Sequence, residues 1–141
     1  MQSYDIQLAE GATDLGLADM LKDLIEQNLA AHPEKVADFN KLAIRIGLTV
    51  VDADVVITLD FNKGHLIIHA GLQQPIQIVL SADSEIIMAL SSQTIKWGLP
   101  NYFDATGKEI LAAMKSGRLK AQGMLLHLPS MIRFSRVMSV Q

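Results

Sequence analysis

The 141 residues carry 12 Lys and Arg against 15 Asp and Glu, a net charge of −3, and contain no cysteine. That balance leaves no electrostatic footprint for a nucleic acid, and the missing thiols exclude disulfides, thiolate metal sites and a cysteine nucleophile. Half the residues are hydrophobic and mean hydropathy is +0.26, yet Arg45, Asp52, Asp60 and Lys63 interrupt every apolar run well short of the ~20 residues that span a bilayer.

The apolar surplus therefore has three destinations: a large core, a lined cavity or an oligomer interface. Seven methionines suit an adaptable lining, although Met as ordinary core filler is the plainer reading. Residues 1–13 show no firm periodicity and are expected to form an N-terminal arm, with residues 14–141 as a single domain. The stretch MQSYDIQLAEG lacks a basic segment followed by an apolar one, as a signal peptide would have, and Ser139-Val140-Gln141 is not a peroxisomal address. The expectation is a cytoplasmic protein.

In chain order, Thr13 and Asp14 are candidate caps for a helix in which Leu17, Met20, Leu21, Leu24, Ile25, Asn28 and Leu29 share one face. Pro33 ends it, and a shorter helix brings Val36, Phe39 and Leu42 together. From Ile44 the period becomes two. Ile44, Ile46, Leu48 and Val50 oppose Arg45, Gly47 and Thr49; Val55, Ile57, Leu59 and Phe61 oppose Val56, Thr58 and Asp60. Asn62-Lys63-Gly64 reads as a hairpin turn with glycine in the left-handed slot. Leu66, Ile68 and Ala70 then oppose His65, Ile67 and His69, and Ile76, Ile78 and Leu80 oppose Gln77, Val79 and Ser81.

Asp83 caps a helix from Ser84 to Leu90. The irregular stretch 91–104 holds Trp97, Tyr102 and Phe103, broken by Gly98 and Pro100; it reads equally as core filler or as a lid. Thr106 and Glu109 have capping-box spacing, Ile110, Leu111 and Met114 form a stripe, and Gly117 stands where a left-handed residue ends a helix. Residues 118–123 alternate as a fifth strand, and a closing helix with Pro129 in its first turn is apolar nearly all round. One aliphatic and one polar face on each strand imply an α+β, two-layer domain: a mainly antiparallel five-stranded sheet covered by helices on one face.

The chemistry-bearing residues do not assemble into a known motif. His65 and His69 stand four residues apart on a strand, ~13 Å, too far to share an ion. Asp52 and Asp54 suit a turn, and Asp83 and Glu85 suit a helix start. Nucleophile elbows, phosphate loops and dinucleotide fingerprints are absent, so no catalytic residue, metal or cofactor is expected. Arg118 and Lys120, with Arg133 and Arg136, suit an anionic lipid headgroup or the phosphates of an acyl-CoA; a solvated strand face with snorkelling arginines is the plainer reading.

The order helix, Ser-Gly, basic alternating strand, Gly, apolar helix, carried by Ser116-Gly117-Arg118-Leu119-Lys120-Ala121-Gln122-Gly123, resembles the carboxyl-terminal signature of the sterol carrier protein-2 (SCP2) family. The order of elements over roughly residues 15–140 resembles that family as well. The resemblance implies an apolar tunnel between the sheet and helices 84–90, 106–116 and 129–139, holding a sterol, fatty acid, acyl-CoA or isoprenoid lipid without covalent chemistry. Side and apolar character select its lining: Leu48, Leu59, Phe61, Ile68 and Ile78 on the sheet, and Met88, Trp97, Phe103, Met114 and Ile132 on the covering elements. Ala121 departs from the family, which favours a larger aliphatic there, so the resemblance does not name the ligand. The alternative is an accessory or docking protein of a lipid or quinone biosynthesis pathway. The expected partner is a hydrophobic small molecule or lipid, with transient membrane contact, a homodimer and no nucleic acid.

Overall fold

The structure, a computed structural model, describes residues 4–12, 16–91, 95–96, 99–100, 105–123 and 125–138, with the backbone alone at 88, 90–91, 95–96, 99–100, 105–106 and 125. The alternating segments become strands β2 (Ala43–Val50), β3 (Val55–Asn62) and β4 (His65–Ala70), an antiparallel meander. Between β3 and β4 both Lys63 (φ 47°) and Gly64 (φ 95°) are left-handed, the backbone of a tight turn that follows the natural twist of a hairpin.

Among the described residues the sheet has six strands, one more than the sequence implied. Its order is β1-β4-β3-β2-β5-β8, where β1 is Asp5–Leu8, β5 Ile78–Ala82 and β8 Lys120–Gln122. The additional strand comes from the stretch read as an arm: β1 lies parallel to β4, with Ile6 beside Leu66 and Leu8 beside Ile68. Pairing of β5 with β2 is also parallel, so the sheet is mixed, with antiparallel pairs in the majority.

Register lines the aliphatic side chains up in rows across the strands. One row runs Ile78, Ile46, Leu59, Ile68, Leu8; the next runs Ala121, Leu80, Leu48, Ile57, Ala70. Ile46, Leu59, Ile68 and Ile78 are fully buried, each contributing about 1.5–3 kcal/mol of apolar burial.

Helices α1 (Gly16–Ala31), α2 (Glu34–Lys41) and α5 (Leu128–Met138) cover these rows. Leu21, Ile25 and Leu29 of α1, Phe39 of α2 and Phe134 and Val137 of α5 join the sheet in one apolar cluster. Edge-to-face contacts run Tyr4–Phe39–Phe61–Phe134, with ring centroids 5.9, 5.8 and 5.9 Å apart. Asn28 lies where the apolar face of α1 meets the end of α5. Its amide donates to the carbonyls of Val137 (2.9 Å) and Met138 (3.1 Å), satisfying acceptors that a helix end leaves open.

A second apolar cluster forms around α3 (Ser84–Ser91) and α4 (Ala105–Ser116): Ile86, Ile87, Ala89, Ile110, Ala113 and Leu119 with Val50 and Ala82 of the sheet. Only Leu17 and Val55 pack against both clusters among the described residues. The short strands β6 (Ile95–Lys96) and β7 (Leu99–Pro100) pair with each other, apart from the main sheet.

Four local readings are corrected. Of the predicted stripe of α4 only Ile110 is buried, beside Gly107 and Ala113, while Leu111 and Met114 stay exposed; Ile110 and Ala113 pack with Ile86, Ile87 and Ala89 of α3. It begins at Ala105, one residue before Thr106, the residue the capping box would place outside the helix; the Thr106 side chain and residues 13–14 lie outside what is described. The fifth predicted strand shortens to Lys120–Gln122. Ile76 precedes β5 and packs over Gly47 on the polar face, beside Leu72. That face is therefore not simply wet. The loop bearing Gly71 and Gln73 crosses it, and the buried Thr58 hydroxyl donates to the Gly71 carbonyl (2.7 Å) and accepts from the Gln73 amide (3.0 Å).

Candidate functional site: an apolar seam between two core clusters

The two clusters part along a line where the second aliphatic row of the sheet meets α3 and α5. Leu48 and Leu80 from that row, Ile87 from α3, and Met131, Phe134, Ser135 and Met138 from α5 enclose a crevice of about 20 Å³. That is room for about one water, against the ~300–1,000 Å³ of a typical ligand pocket. On the other side of Ile87 an open groove of about 270 Å³ runs between Gly16, Leu17 and Met20 of α1, Val50 and Ala53 at the β2–β3 turn, and Ser84. Among the described residues Ile87, only 4% exposed, is the one common to both linings. Met131, Ser135 and Met138 recur at helical spacing, so one face of α5 lines the crevice.

A polar clasp holds α3 against the sheet beside this groove. Asp52, in the β2–β3 turn, accepts from the Ser84 hydroxyl (2.7 and 2.8 Å) and amide (2.8 Å). Those bonds, the hydroxyl first, hold its carboxyl below the usual carboxylate range. Asp83 caps α3 by accepting from the Ile86 amide at 3.0 Å, and Arg118, just past α4, donates to the same carboxylate at 3.0 and 3.2 Å. The cap and then the guanidinium lower the Asp83 pKa in the same direction. The turn aspartate and the cap aspartate thus tie the meander, α3 and the end of α4 together.

A larger concavity lies elsewhere, on the polar face of the sheet. About 580 Å³ of open space is bordered by Asp5, Gln7, Arg45, Asp60, His65 and Gln77 among others. There Arg45 Nε lies 3.2 Å from Asp60 Oδ2 and Arg45 Nη1 donates to the Gln74 carbonyl at 2.8 Å, while the neighbouring His69 Nε2 stands 3.7 Å from the same Asp60 oxygen. His65 faces Asp5 at 3.9 Å. Each histidine of β4 has its own aspartate, and no group of three metal-ligating side chains occurs among the described residues.

Of the lining residues chosen from the sequence, Leu48 borders the crevice. Leu59, Phe61, Ile68 and Ile78 are fully or almost fully buried in the larger cluster. Ile132 is half-buried on α5, and Met114, 36% exposed, sits on the outer side of α4. The Met88 side chain, Trp97 and Phe103 lie outside the described residues, as does most of the 97–103 stretch. Sequence reasoning passed over Leu80, Ile87, Met131, Phe134, Ser135 and Met138 as lining. For Met131, Ser135 and Met138 the signal was present in the i, i+4, i+7 recurrence along α5, but a helix apolar on so many sides does not declare which stripe faces a crevice.

No protein-family model and no curated protein matches the chain. Among solved structures it is similar to the UbiJ-SCP2 ubiquinone synthesis protein, with a TM-score of 0.61 and 13% identity over 89% of this chain and 97% of that one. It is also similar to sterol carrier protein 2, with a TM-score of 0.50 and 15% identity over 82% and 88% of the two chains. At such identities the likeness carries the fold, and the domain is SCP2-like.

Proposed function

We propose that this SCP2-like domain binds and hands on an extended apolar ligand, such as a fatty acid, acyl-CoA, isoprenoid lipid or sterol, without chemistry of its own. The ligand chain would occupy the seam between the two core clusters. The observation that carries this reading is the meeting of crevice and groove on Ile87: displacing that one side chain joins two apolar spaces into a channel. Leu48 lies on the channel's sheet side. Leu59, Phe61, Ile68 and Ile78 belong to the buried core behind it, and Met114 stands outside it.

In the closed state the crevice is far smaller than a lipid. Binding therefore includes an opening step, and the apparent affinity falls with the fraction of open molecules. Native mass spectrometry of freshly purified protein tests the reading. A carrier retains an apolar mass in stoichiometric amount, and added long-chain fatty acid, acyl-CoA or isoprenoid quinone raises its melting temperature, by the equivalent of roughly 2.7 kcal/mol at a hundredfold excess over Kd. Bare chain mass together with no thermal shift from any of the three ends the carrier reading.

The second reading is an accessory protein of lipid or quinone biosynthesis that docks partners. It is favoured by the likeness to the ubiquinone synthesis protein, which spans nearly all of that chain, and by the closed crevice. Its mark would be a stable complex with an enzyme of such a pathway and no bound lipid.

A further inference from the structure

All fifteen acidic residues lie at or before Glu109, whereas the chain beyond it carries Lys115, Arg118, Lys120, Arg133 and Arg136. In a protein of net charge −3 this makes the carboxyl-terminal segment a basic region on an acidic body. Two of the five cations are committed: Arg118 to Asp83 and Glu85, and Arg136 to Asp38. Lys115, Lys120 and Arg133 make no ion pair among the described residues.

The same segment carries the most exposed large apolar side chain described. Leu126, in the 3₁₀ turn Leu125–His127 that joins β8 to α5, is 86% exposed, and Leu128 at the first position of α5 is 45% exposed. Lys120 stands six residues before Leu126 and Arg133 seven after it. Leu128 also falls on the helical stripe of Met131, Ser135 and Met138, so the crevice-lining face of α5 runs out into this exposed turn.

We infer that the turn Leu125–His127 and the first turn of α5 form a lip that docks on an anionic lipid bilayer. The lip is a turn with an 86% exposed leucine and, in sequence, a cation without an ion pair on either side. A protein partner would have to supply a fitted pocket for so exposed a side chain; a bilayer interface takes it without one. Apolar insertion and attraction of cations to anionic headgroups add at one membrane surface, and the second is screened by salt. The inference goes beyond the carrier reading and does not depend on it, but the position of Leu128 on the crevice stripe would bring the membrane to the end of the seam.

Co-sedimentation with phosphatidylcholine vesicles, with and without a third of phosphatidylglycerol, tests the lip. The expected result is binding to the anionic vesicles that weakens as salt rises. Leu126→Asp should reduce partition by about tenfold or more, and Lys120→Gln or Arg133→Gln by about fivefold each. Val51→Asp, at a side chain 61% exposed in the β2–β3 turn, should leave binding unchanged. All of these positions are exposed or half-exposed, and circular dichroism verifies the fold of each variant. Absence of binding to anionic vesicles, equal binding by Leu126→Asp, or an equal loss in Val51→Asp overturns the inference. A protein that retains lipid in native mass spectrometry but ignores vesicles overturns the lip alone and leaves the carrier reading standing.

Discussion

Replacing Gly123 by Ala should destabilise the domain far more than replacing Gly117, although both glycines bracket the same short basic strand and both are left-handed. Gly117 has φ +83° and nothing within 4 Å of where a Cβ would stand. Its substitution carries only the conformational term, ~1–2 kcal/mol. Gly123 has φ +80°, and an added Cβ would drive into the backbone carbonyl oxygen of Gln77. Backbone cannot swing aside as a side chain can, and Gln77 is anchored by its amide on the Arg45 carbonyl (3.1 Å) and its side-chain oxygen on the Arg45 amide (2.8 Å). The alanine must therefore either break the pairing of β8 with β5 or pull Gln77 from β2. The second adds the loss of both hydrogen bonds between Gln77 and Arg45, and the first a comparable loss from the ladder, about 1 kcal/mol per bond, to the conformational term. Gly123→Ala is expected to cost about 3–4 kcal/mol, against about 1 kcal/mol or slightly more for Gly117→Ala. Lys120→Ala on the exposed side of the strand should stay within ~0.5 kcal/mol. Urea melts with a shared m-value measure all three. If Gly117→Ala proves as damaging as Gly123→Ala, the close approach of β8 to Gln77 is not what fixes this end of the sheet.

Two further predictions follow from groups whose roles were visible only once folded. Thr58→Val keeps the shape but removes a buried hydroxyl that bonds Gly71 and Gln73, so about 1–3 kcal/mol should be lost; a melt within ~0.5 kcal/mol of wild type would mean the loop does not depend on that bridge. Asp52 and Asp83 are both held below the ordinary aspartate range by the hydrogen bonds they accept, so their contribution is present above the unfolded value and is lost as pH falls through the folded ones. Hydrogen exchange below about pH 4 should therefore release amides of α3 before those of β2 and β3, and Asp83→Asn should abolish the part of that pH dependence due to Asp83; simultaneous release of both regions would refute the clasp.

The meander was legible because its alternation runs through eight-residue strands and closes on a glycine turn, two signals that reinforce each other. β1 was not, since Asp5–Leu8 offers only two apolar positions, Ile6 and Leu8, and its place is fixed by the exposed edge of β4 rather than by its own pattern. Parallel pairing of β2 with β5 was invisible for a different reason: the same alternation serves either direction, and the choice rests on the crossing loop that lays Leu72 and Ile76 over Gly47. Gly47 is itself the clue, because any Cβ there would stand 2.8 Å from Leu72 Cδ2. On α4 the sequence favoured Ile110, Leu111 and Met114 as the buried stripe. Packing kept Ile110 and turned Gly107 and Ala113 inward in place of the other two. At the candidate site Leu48 could be read from its face, but Ile87 could not, since its importance lies in standing between two spaces that only the tertiary structure creates.

The surplus of apolar residues finds no single destination, and its distribution bears on mechanism. Most of it fills a solid core, as the buried central positions of the sheet rows require. A second share is held at the boundary between two clusters that touch each other through few side chains, Leu17 and Val55 among them. A third share is left in water at Leu126, Leu128, Leu111 and Met114. A rigid carrier would keep an open tunnel and pay for it continuously in lost packing; about 24 cal/mol is forfeited for each Å³ of empty cavity, so a lipid-sized void would exceed the stability of most domains. A seam that closes to about 20 Å³ avoids that loss when empty. On the carrier reading proposed above, the clasp of Asp52, Ser84, Asp83 and Arg118 would set how firmly the seam closes, and ligand binding and clasp strength would oppose each other. Its bonds lie near the surface and outside the apolar path, so their release would let α3 part from the sheet while the larger cluster stays folded.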